Sequence, residues 1–385
     1  MKKFKGIIIS AARSDYDRYI PILNDIKKNS RLRTHLFLTK DHLNPKYGKT
    51  KNFVNKKYNL IFNNYKEKEF DENQIINLSD DLSFLSKKLI GIKPDFIIIL
   101  GDRYEMLLGS LIAIPKKLPT FHFFGGSVTE GSSDELVRHA ITKMSHLHFV
   151  AHEKYKKRLL QMGEERWRIF NIGVPSLSKL KSMKFDTKNN LEKKYKFDFC
   201  KPFALLTYHP TSAETEDLKT NLKIIEQVIK KEKLNLVITY PNADLGNEKI
   251  IKYLNSKFND RKKYLIIKNC GQDNYLNIAK HSKFIIGNSS SGIVEAASIK
   301  TPVINLGTRQ KGKIAPKNVI NCDFDKKNIL KILKKIKTKS YANMLSNINN
   351  PYEKKIKNGF ISTVIVKALQ NKNILKKKFM DYKNS

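Results

Sequence analysis

Two doubly wound, Rossmann-like α/β domains in tandem are predicted for this chain, on three observations. Short apolar strands alternate with amphipathic helical segments throughout, the pattern of parallel sheets covered by helices on both faces. The strands fall into two series separated by KLKSMKFDTKNNLEKKYKFD, a polar, lysine-rich stretch poor in large apolar residues apart from its Phe and Tyr. The length, 385 residues, exceeds what one core supports, since single cores stop growing near roughly 250 to 300 residues.

In chain order the first series reads KGIIISAA, HLFLTK, PDFIIILGD, TFHFFGG, HLHFVAH and RIFNIGV. The second reads FALLTYHP, LNLVITYPN, YLIIKNC, FIIGNSS, PVINLG and NVINC. Domains are therefore expected at residues 1–177 and 201–351, with a linker region at 178–200 and a C-terminal helix and basic tail over 352–385. A last helix from about Tyr352 to Phe379 either finishes the second domain or crosses back to brace the first. Domains of this type place the carboxyl ends of both strand sets on a common crevice, so function is sought at strand ends.

Composition removes several classes. Hydrophobic residues at 40% and charged residues at 29% argue for a packed interior and against disorder. No apolar run approaches the roughly 18 to 20 residues that span a bilayer, so integral membrane association is not expected. The opening MKKFKGIIISAARSDY has the lysines of a signal peptide but meets Arg13 and Asp15 within a few residues; it is read as the first strand of a cytoplasmic protein. Cys200, Cys270 and Cys322 lie far apart without metal-binding spacing, which points to buried free thiols and to no metal. The net charge of +38 invites nucleic acid or an anionic membrane as partner. Yet only 11 of the 74 basic residues are arginine, and the lysines are scattered over predicted helices. Solvated lysine faces account for the excess better than a specific nucleic-acid groove. The C-terminal run, from NILKILKKIKTKS onward, leaves weak attraction to a membrane surface open.

The chemistry-bearing motifs sit at strand ends. Arg13 follows the first strand where a helix starts near Asp15, a junction suited to an anion because helix amides and a guanidinium can point the same way. The strand PDFIIIL stops at Gly101, and Asp102 and Arg103 follow. A carboxylate there is partly desolvated, which raises its pKa and makes a usable base; the plain alternative is a cap for the next helix. After TFHFFGG, Glu130 lies on a loop, and Ser132 or Ser133 can cap a helix carrying Asp134, Glu135, Arg138 and His139. Acids in a first helical turn are usually dipole partners, a reading that fits Glu135 in particular. Glu130 and Asp134 are expected to converge on Asp102. In the second series, FALLTYHP presents His209 at its end, where a histidine is either a satisfied structural residue or a group facing the cleft. In GNSSSGIVEA, Ser289, Ser290, Ser291 and Gly292 open a helix whose amides can hold a diphosphate. Glu295, one turn on, can accept both ribose hydroxyls, and Arg309 can contact the base or a phosphate.

Taken together, RSDY, LGDRYE, GGSVTEGSSDELVRHAITKMSHLHFV, TYHP, YPNADLG, GNSSSGIVEA and INLGTRQ resemble the hydrolysing UDP-N-acetylglucosamine 2-epimerases, particularly the branch serving sialic and legionaminic acid synthesis. The resemblance covers about residues 6 to 325 in order. It implies a glycosyltransferase-B-like fold with the active site in the interdomain cleft, a nucleotide-sugar substrate, a homo-oligomer and no cofactor. It further implies elimination of the nucleoside diphosphate across C1 and C2 of a 2-acetamido sugar, then addition of water with inversion at C2. The matching positions are Arg13 and Arg103 as anion contacts, and Asp102 and Asp134, with Glu130 as helper, as proton-transfer groups. His209 and Asn242 match the family His and the Asn of YPN, Ser289 and Ser290 the diphosphate contacts, Glu295 the ribose carboxylate and Arg309 the final Arg. Two departures stand out: Phe124 occupies the place where members carry Glu or His, and Ser127 that of an acid after the paired glycines. The alternatives are a glycosyltransferase on the same fold, or a basic polyanion-binding protein with a vestigial cleft.

Overall fold

The computed structural model describes residues 2–11, 13–44, 50–65, 74–130, 132, 134–211, 217–241 and 246–381. The chain forms two compact units. One comprises Met1–Ser127, Asp134–Ser178 and Lys354–Ser385, and the other Val128–Ser133 and Lys179–Glu353.

The first unit is built on a seven-stranded parallel sheet of β1 (Phe4–Ser10), β2 (Leu32–Leu38), β3 (Asn59–Ile61), β4 (Phe96–Leu100), β5 (Thr120–Phe123), β6 (Leu147–Val150) and β7 (Ile169–Asn171). Its order, β3-β2-β1-β4-β5-β6-β7, puts the reversal of direction between β1 and β4. Every residue of β4 is buried, because helices cover both faces and a central strand must then be apolar throughout. The first helices are α1 (Arg13–Lys28), α2 (Gln74–Ile92), α3 (Leu107–Ala113) and α4 (Asp134–Met144). The second unit carries a six-stranded parallel sheet of β8 (Phe203–Thr207), β9 (Asn235–Thr239), β10 (Tyr264–Ile267), β11 (Ile285–Gly287), β12 (Val303–Leu306) and β13 (Val319–Cys322). Its order is β10-β9-β8-β11-β12-β13, with the reversal between β8 and β11.

All strands of the two predicted series are present. The addition is β3, three residues whose pairing with β2, from His35↔Asn59 to Phe37↔Ile61, forms it at a sheet edge where its own sequence is too short to signal it. The stretch at 178–200 is more than a linker: helices Ser176–Ser182 and Lys188–Tyr195 occupy it, and Leu191, Phe197 and Phe199 bury into the second unit. The last helix is shorter than expected, Phe360–Gln370, and it packs on α1. Asp25 of α1 accepts from the N–H groups of Gly359 and Ser362, both at 2.8 Å, and so supplies the cap of that helix. The cysteines are free as expected, but Cys200 is exposed because it lies in the turn after Phe199, and Cys270 and Cys322 are only partly buried. Among the described residues, no helix is long and apolar enough to cross a membrane.

Candidate active site

Open parallel sheets bind ligands beyond the carboxyl ends of strands where the strand order reverses. In the first unit that point lies between β1, which leads into Arg13, and β4, which leads into Asp102. Gly101, with φ +71, turns the chain out of β4 in the left-handed region that a side chain disfavours. Asp102 comes next and is 31% exposed, so it meets solvent and is not sealed in the core.

The group that organises this end of the sheet is Arg138, which is completely buried. Its Nε donates to Asp102 Oδ2 at 2.9 Å, and Nη2 pairs with the same oxygen. Nη1 donates to Glu135 Oε2 at 2.5 Å and to the Ser127 carbonyl at 3.0 Å. Burial alone would lower the guanidinium pKa, but Asp102 and Glu135 outweigh it and raise it. Asp102 is therefore both partly exposed at its strand end and paired with a buried guanidinium. It is one arm of a carboxylate–guanidinium–carboxylate triad, which fixes the position of both carboxylates.

Helix geometry explains how α4 contributes. Glu135 and Arg138 are three residues apart and share one face, while His139, four residues from Glu135, reaches its other oxygen at 2.9 Å. Glu135 is thus more than a dipole partner. Asp134 opens the same helix one residue earlier and is half-buried. His122 on β5 completes the frame: its Nε2 contacts the Gly101 carbonyl at 2.8 Å, and its Nδ1 lies 3.3 Å from the Thr142 hydroxyl. Burial drives the His122 pKa down to about 3, so it is a neutral spacer between β4 and α4. Phe124, immediately after β5, holds a left-handed φ of +66°, fixed by its N–H to the Phe149 carbonyl at 2.7 Å. An aromatic side chain in that conformation costs on the order of 1 kcal/mol or more, the kind of strain that clusters at functional sites.

Other expected residues are differently engaged. Arg103 binds Glu105 through two contacts, at 2.8 and 3.1 Å, and Asp41 at 3.3 Å. Burial and the neighbouring Glu105 push the Asp41 carboxyl well above its usual range. Arg103 holds Glu105 low against the opposing effect of burial. Glu130 belongs to the second unit, where it is half-exposed, pairs with Lys311 at 2.8 Å and donates its N–H to the Lys311 carbonyl. Arg13 opens α1, but its side chain lies outside the described residues, as does all of Asn242.

In the second unit the reversal point lies between β8, followed by His209, and β11, followed by Asn288 and the serines. Gly287 makes the close pairing possible: with φ +132, a Cβ there would lie 2.1 Å from the Thr207 carbonyl oxygen. Asn288, which the motifs did not single out, ties the two strand ends together. Its Oδ1 accepts from the His209 N–H at 2.7 Å, and its Nδ2 donates to the His209 carbonyl at 2.8 Å. Its own carbonyl accepts from Arg309 Nη1 at 3.2 Å and Gln310 Nε2 at 2.9 Å. Ser289 caps the short helix Ser290–Val294 by accepting from the Ser291 N–H, Gly292 is buried within it, and Glu295 follows, only 4% exposed. Burial, with the Arg309 charge adding to it, drives the His209 pKa well below its usual value. His209 is consequently a neutral imidazole, able to donate one hydrogen bond but not to supply a positive charge.

A sequence model of the family described as UDP-N-acetylglucosamine 2-epimerase matches residues 24–366. The chain is 37% identical over 335 residues to a GDP/UDP-N,N'-diacetylbacillosamine 2-epimerase (hydrolyzing) of Campylobacter jejuni, covering 84% of this chain and 86% of that protein. It is 32% identical over 333 residues to a UDP-N,N'-diacetylbacillosamine 2-epimerase (hydrolyzing) of Legionella pneumophila, covering 83% and 85%. Among solved structures, UDP-GlcNAc 2-epimerase from Neisseria meningitidis bound to UDP-GlcNAc superimposes with a TM-score of 0.76 at 20% identity, over 95% of this chain and 99% of that one. The two parallel-sheet α/β units thus share the glycosyltransferase-B-like fold of such proteins.

Proposed function

This chain belongs to the UDP-N-acetylglucosamine 2-epimerase family, and from that premise we propose that it is a hydrolysing nucleotide-sugar 2-epimerase. It takes a UDP- or GDP-linked 2-acetamido sugar and releases the free C2 epimer and the nucleoside diphosphate. The observation that carries this reading is Arg138, buried and joining Asp102 after β4 to Glu135 in the first turn of α4. Removing a weakly acidic C2 proton needs a base held ionised in a fixed place, and re-protonation with hydration needs a second acid/base group beside it. A buried guanidinium that fixes two partly exposed carboxylates supplies both.

Proton transfer is assigned to Asp102 and Glu135, with Asp134 beside them and Glu130 as a helper from its loop. Nucleotide recognition is assigned to Ser289, Ser290, Ser291, Gly292, Glu295 and Arg309 of the second unit, with Arg13 and Arg103 as anion contacts and Asn242 alongside. His209, being neutral, donates a hydrogen bond to the departing diphosphate, and arginine supplies the charge. The free sugar formed is of the kind consumed in the assembly of sialic or legionaminic acids for cell-surface polysaccharide.

Turnover in heavy water tests the reaction. UDP-GlcNAc and UDP- or GDP-linked N,N'-diacetylbacillosamine form the panel. The expected product is a free sugar of inverted C2 configuration carrying deuterium at C2, with one nucleoside diphosphate per sugar. Release of the original epimer with hydrogen retained at C2 would mark a glycosyltransferase acting as a slow hydrolase, and the epimerase reading would be abandoned.

A further inference from the structure

The C-terminal tail is rich in lysine, yet one of its lysines is withdrawn from solvent. Beyond the helix Phe360–Gln370, the tail lies along the first unit, with Ile374 buried. Arg168, itself fully buried, donates to the carbonyls of Ile374 at 2.8 Å and Lys376 at 2.9 Å, and the Met380 N–H reaches the Gly163 carbonyl at 3.0 Å. Between these anchors Lys377 turns inward. Its Nζ meets Glu164 Oε2 at 2.7 Å and donates to the carbonyls of Thr142, Lys143 and Ser145 at 3.3, 2.9 and 2.7 Å. Glu164 is buried and also bonded to His148 and Lys143, so one buried carboxylate gathers two lysines and an imidazole.

Thr142 and Lys143 belong to the last turn of α4 and Ser145 follows its end, where carbonyls are left short of intrahelical donors and a cation is favoured. The opposite end of this helix carries Glu135 and Arg138. Eleven residues of helix make a rod about 16 Å long, so a shift at one end is a shift at the other. A second connection runs the same way: the Thr142 hydroxyl lies 3.0 Å from the Arg138 carbonyl and 3.3 Å from His122 Nδ1, and His122 holds Gly101, the residue before Asp102.

We propose that the C-terminal tail is a strap that positions the acid–base cluster, with Lys377 as the positioning residue that fixes α4 from its carboxyl end. The consequence for turnover rests on the reaction proposed above, whereas the consequence for α4 does not. In full-length protein, Lys377→Met is compared with Lys376→Met and Lys378→Met, which remove the same charge from exposed positions of the tail. The strap predicts a fall in kcat of about 10- to 100-fold for K377M, the scale expected when catalytic groups shift by an ångström or less. KM and UDP affinity should stay within about two-fold, measured well below the variant's own melting temperature. Both control variants should match the parent. Should K377M fail to fold, Lys377→Gln, which keeps donors for the carbonyls but loses the charge, is read the same way. Amide hydrogen exchange provides a readout independent of turnover: in K377M exchange should quicken along α4 as far as Arg138. Exchange that quickens only near Thr142–Ser145, or a folded K377M with parental kcat, would overturn the strap. A loss of UDP affinity in step with kcat would also count against it, as general disruption. Wild-type protein that releases no C2-deuterated epimer would instead overturn the reaction and leave the exchange result to decide the strap.

Discussion

Replacing Arg138 by Met removes the guanidinium but keeps an unbranched apolar stem of similar length. The fully buried side chain makes charged contacts with Asp102 and Glu135 and a hydrogen bond to the Ser127 carbonyl. Removing one partner of a buried ion pair costs about 3 to 5 kcal/mol, chiefly because the other charge stays behind unpaired. Here the two carboxylates retain 31% and 24% exposure, so water recovers part of the loss and about 3 kcal/mol is the better figure. The first unit comprises roughly 200 residues, a size at which each kcal/mol moves the midpoint by about 2 to 4 °C. The expected drop in Tm is therefore about 6 to 12 °C, followed by circular dichroism at pH 7. Arg166→Met, at an exposed position outside the triad, is the control and should melt with the parent. A folded R138M protein whose Tm lies within 2 °C of the parent would show that the triad contributes no such energy and that Arg138 does not organise the site.

Two further outcomes follow from the same structure. Asp102→Asn keeps the shape and a partner for Arg138 but cannot take a proton; turnover should fall by about 100-fold or more with UDP affinity nearly intact, and equal loss of both in steady-state kinetics and calorimetry would return Asp102 to a structural role. His42 and His122 are buried with pKa values driven down to about 3, chiefly by burial, so the unfolded chain binds their protons first as pH falls below the ordinary histidine value near 6.5. Stability should consequently decline between about pH 6 and 4, by up to roughly 1.4 kcal/mol per pH unit for each histidine; urea midpoints that stay level from pH 7 to 4.5 would contradict this.

The pattern of apolar runs was sufficient for the two sheets, because a parallel strand buried on both faces must be apolar along its whole length, and PDFIIILGD or FALLTYHP can satisfy little else. It failed for β3, where only Leu60 and Ile61 mark the strand and pairing with β2 makes it. The placement of candidate groups at strand ends was legible as well: Asp102 and His209 occupy the expected positions because Gly101 and the end of β8 terminate the apolar runs there. Local spacing even contained Glu135 and Arg138, three residues apart on α4.

Charge state and partnership were not legible, since they depend on which elements the fold brings side by side. Asp102 and Arg138 are 36 residues apart in the chain, and nothing in either local motif says that a buried guanidinium will meet that carboxylate. The strand-end position of His209 left its charge open, and its burial beside Arg309 makes it neutral. Lys377 was indistinguishable from its neighbours in a basic run, and only packing decided that it, rather than Lys376 or Lys378, enters the cluster around Glu164. The sequence by itself determined where strands end and which chemical groups stand there, because hydrophobic periodicity and glycine are local properties. Tertiary structure decided which of those groups are paired, neutral or held in place, because a pKa or an ion pair is set by the dielectric and charges within a few ångströms, and those come from distant parts of the chain.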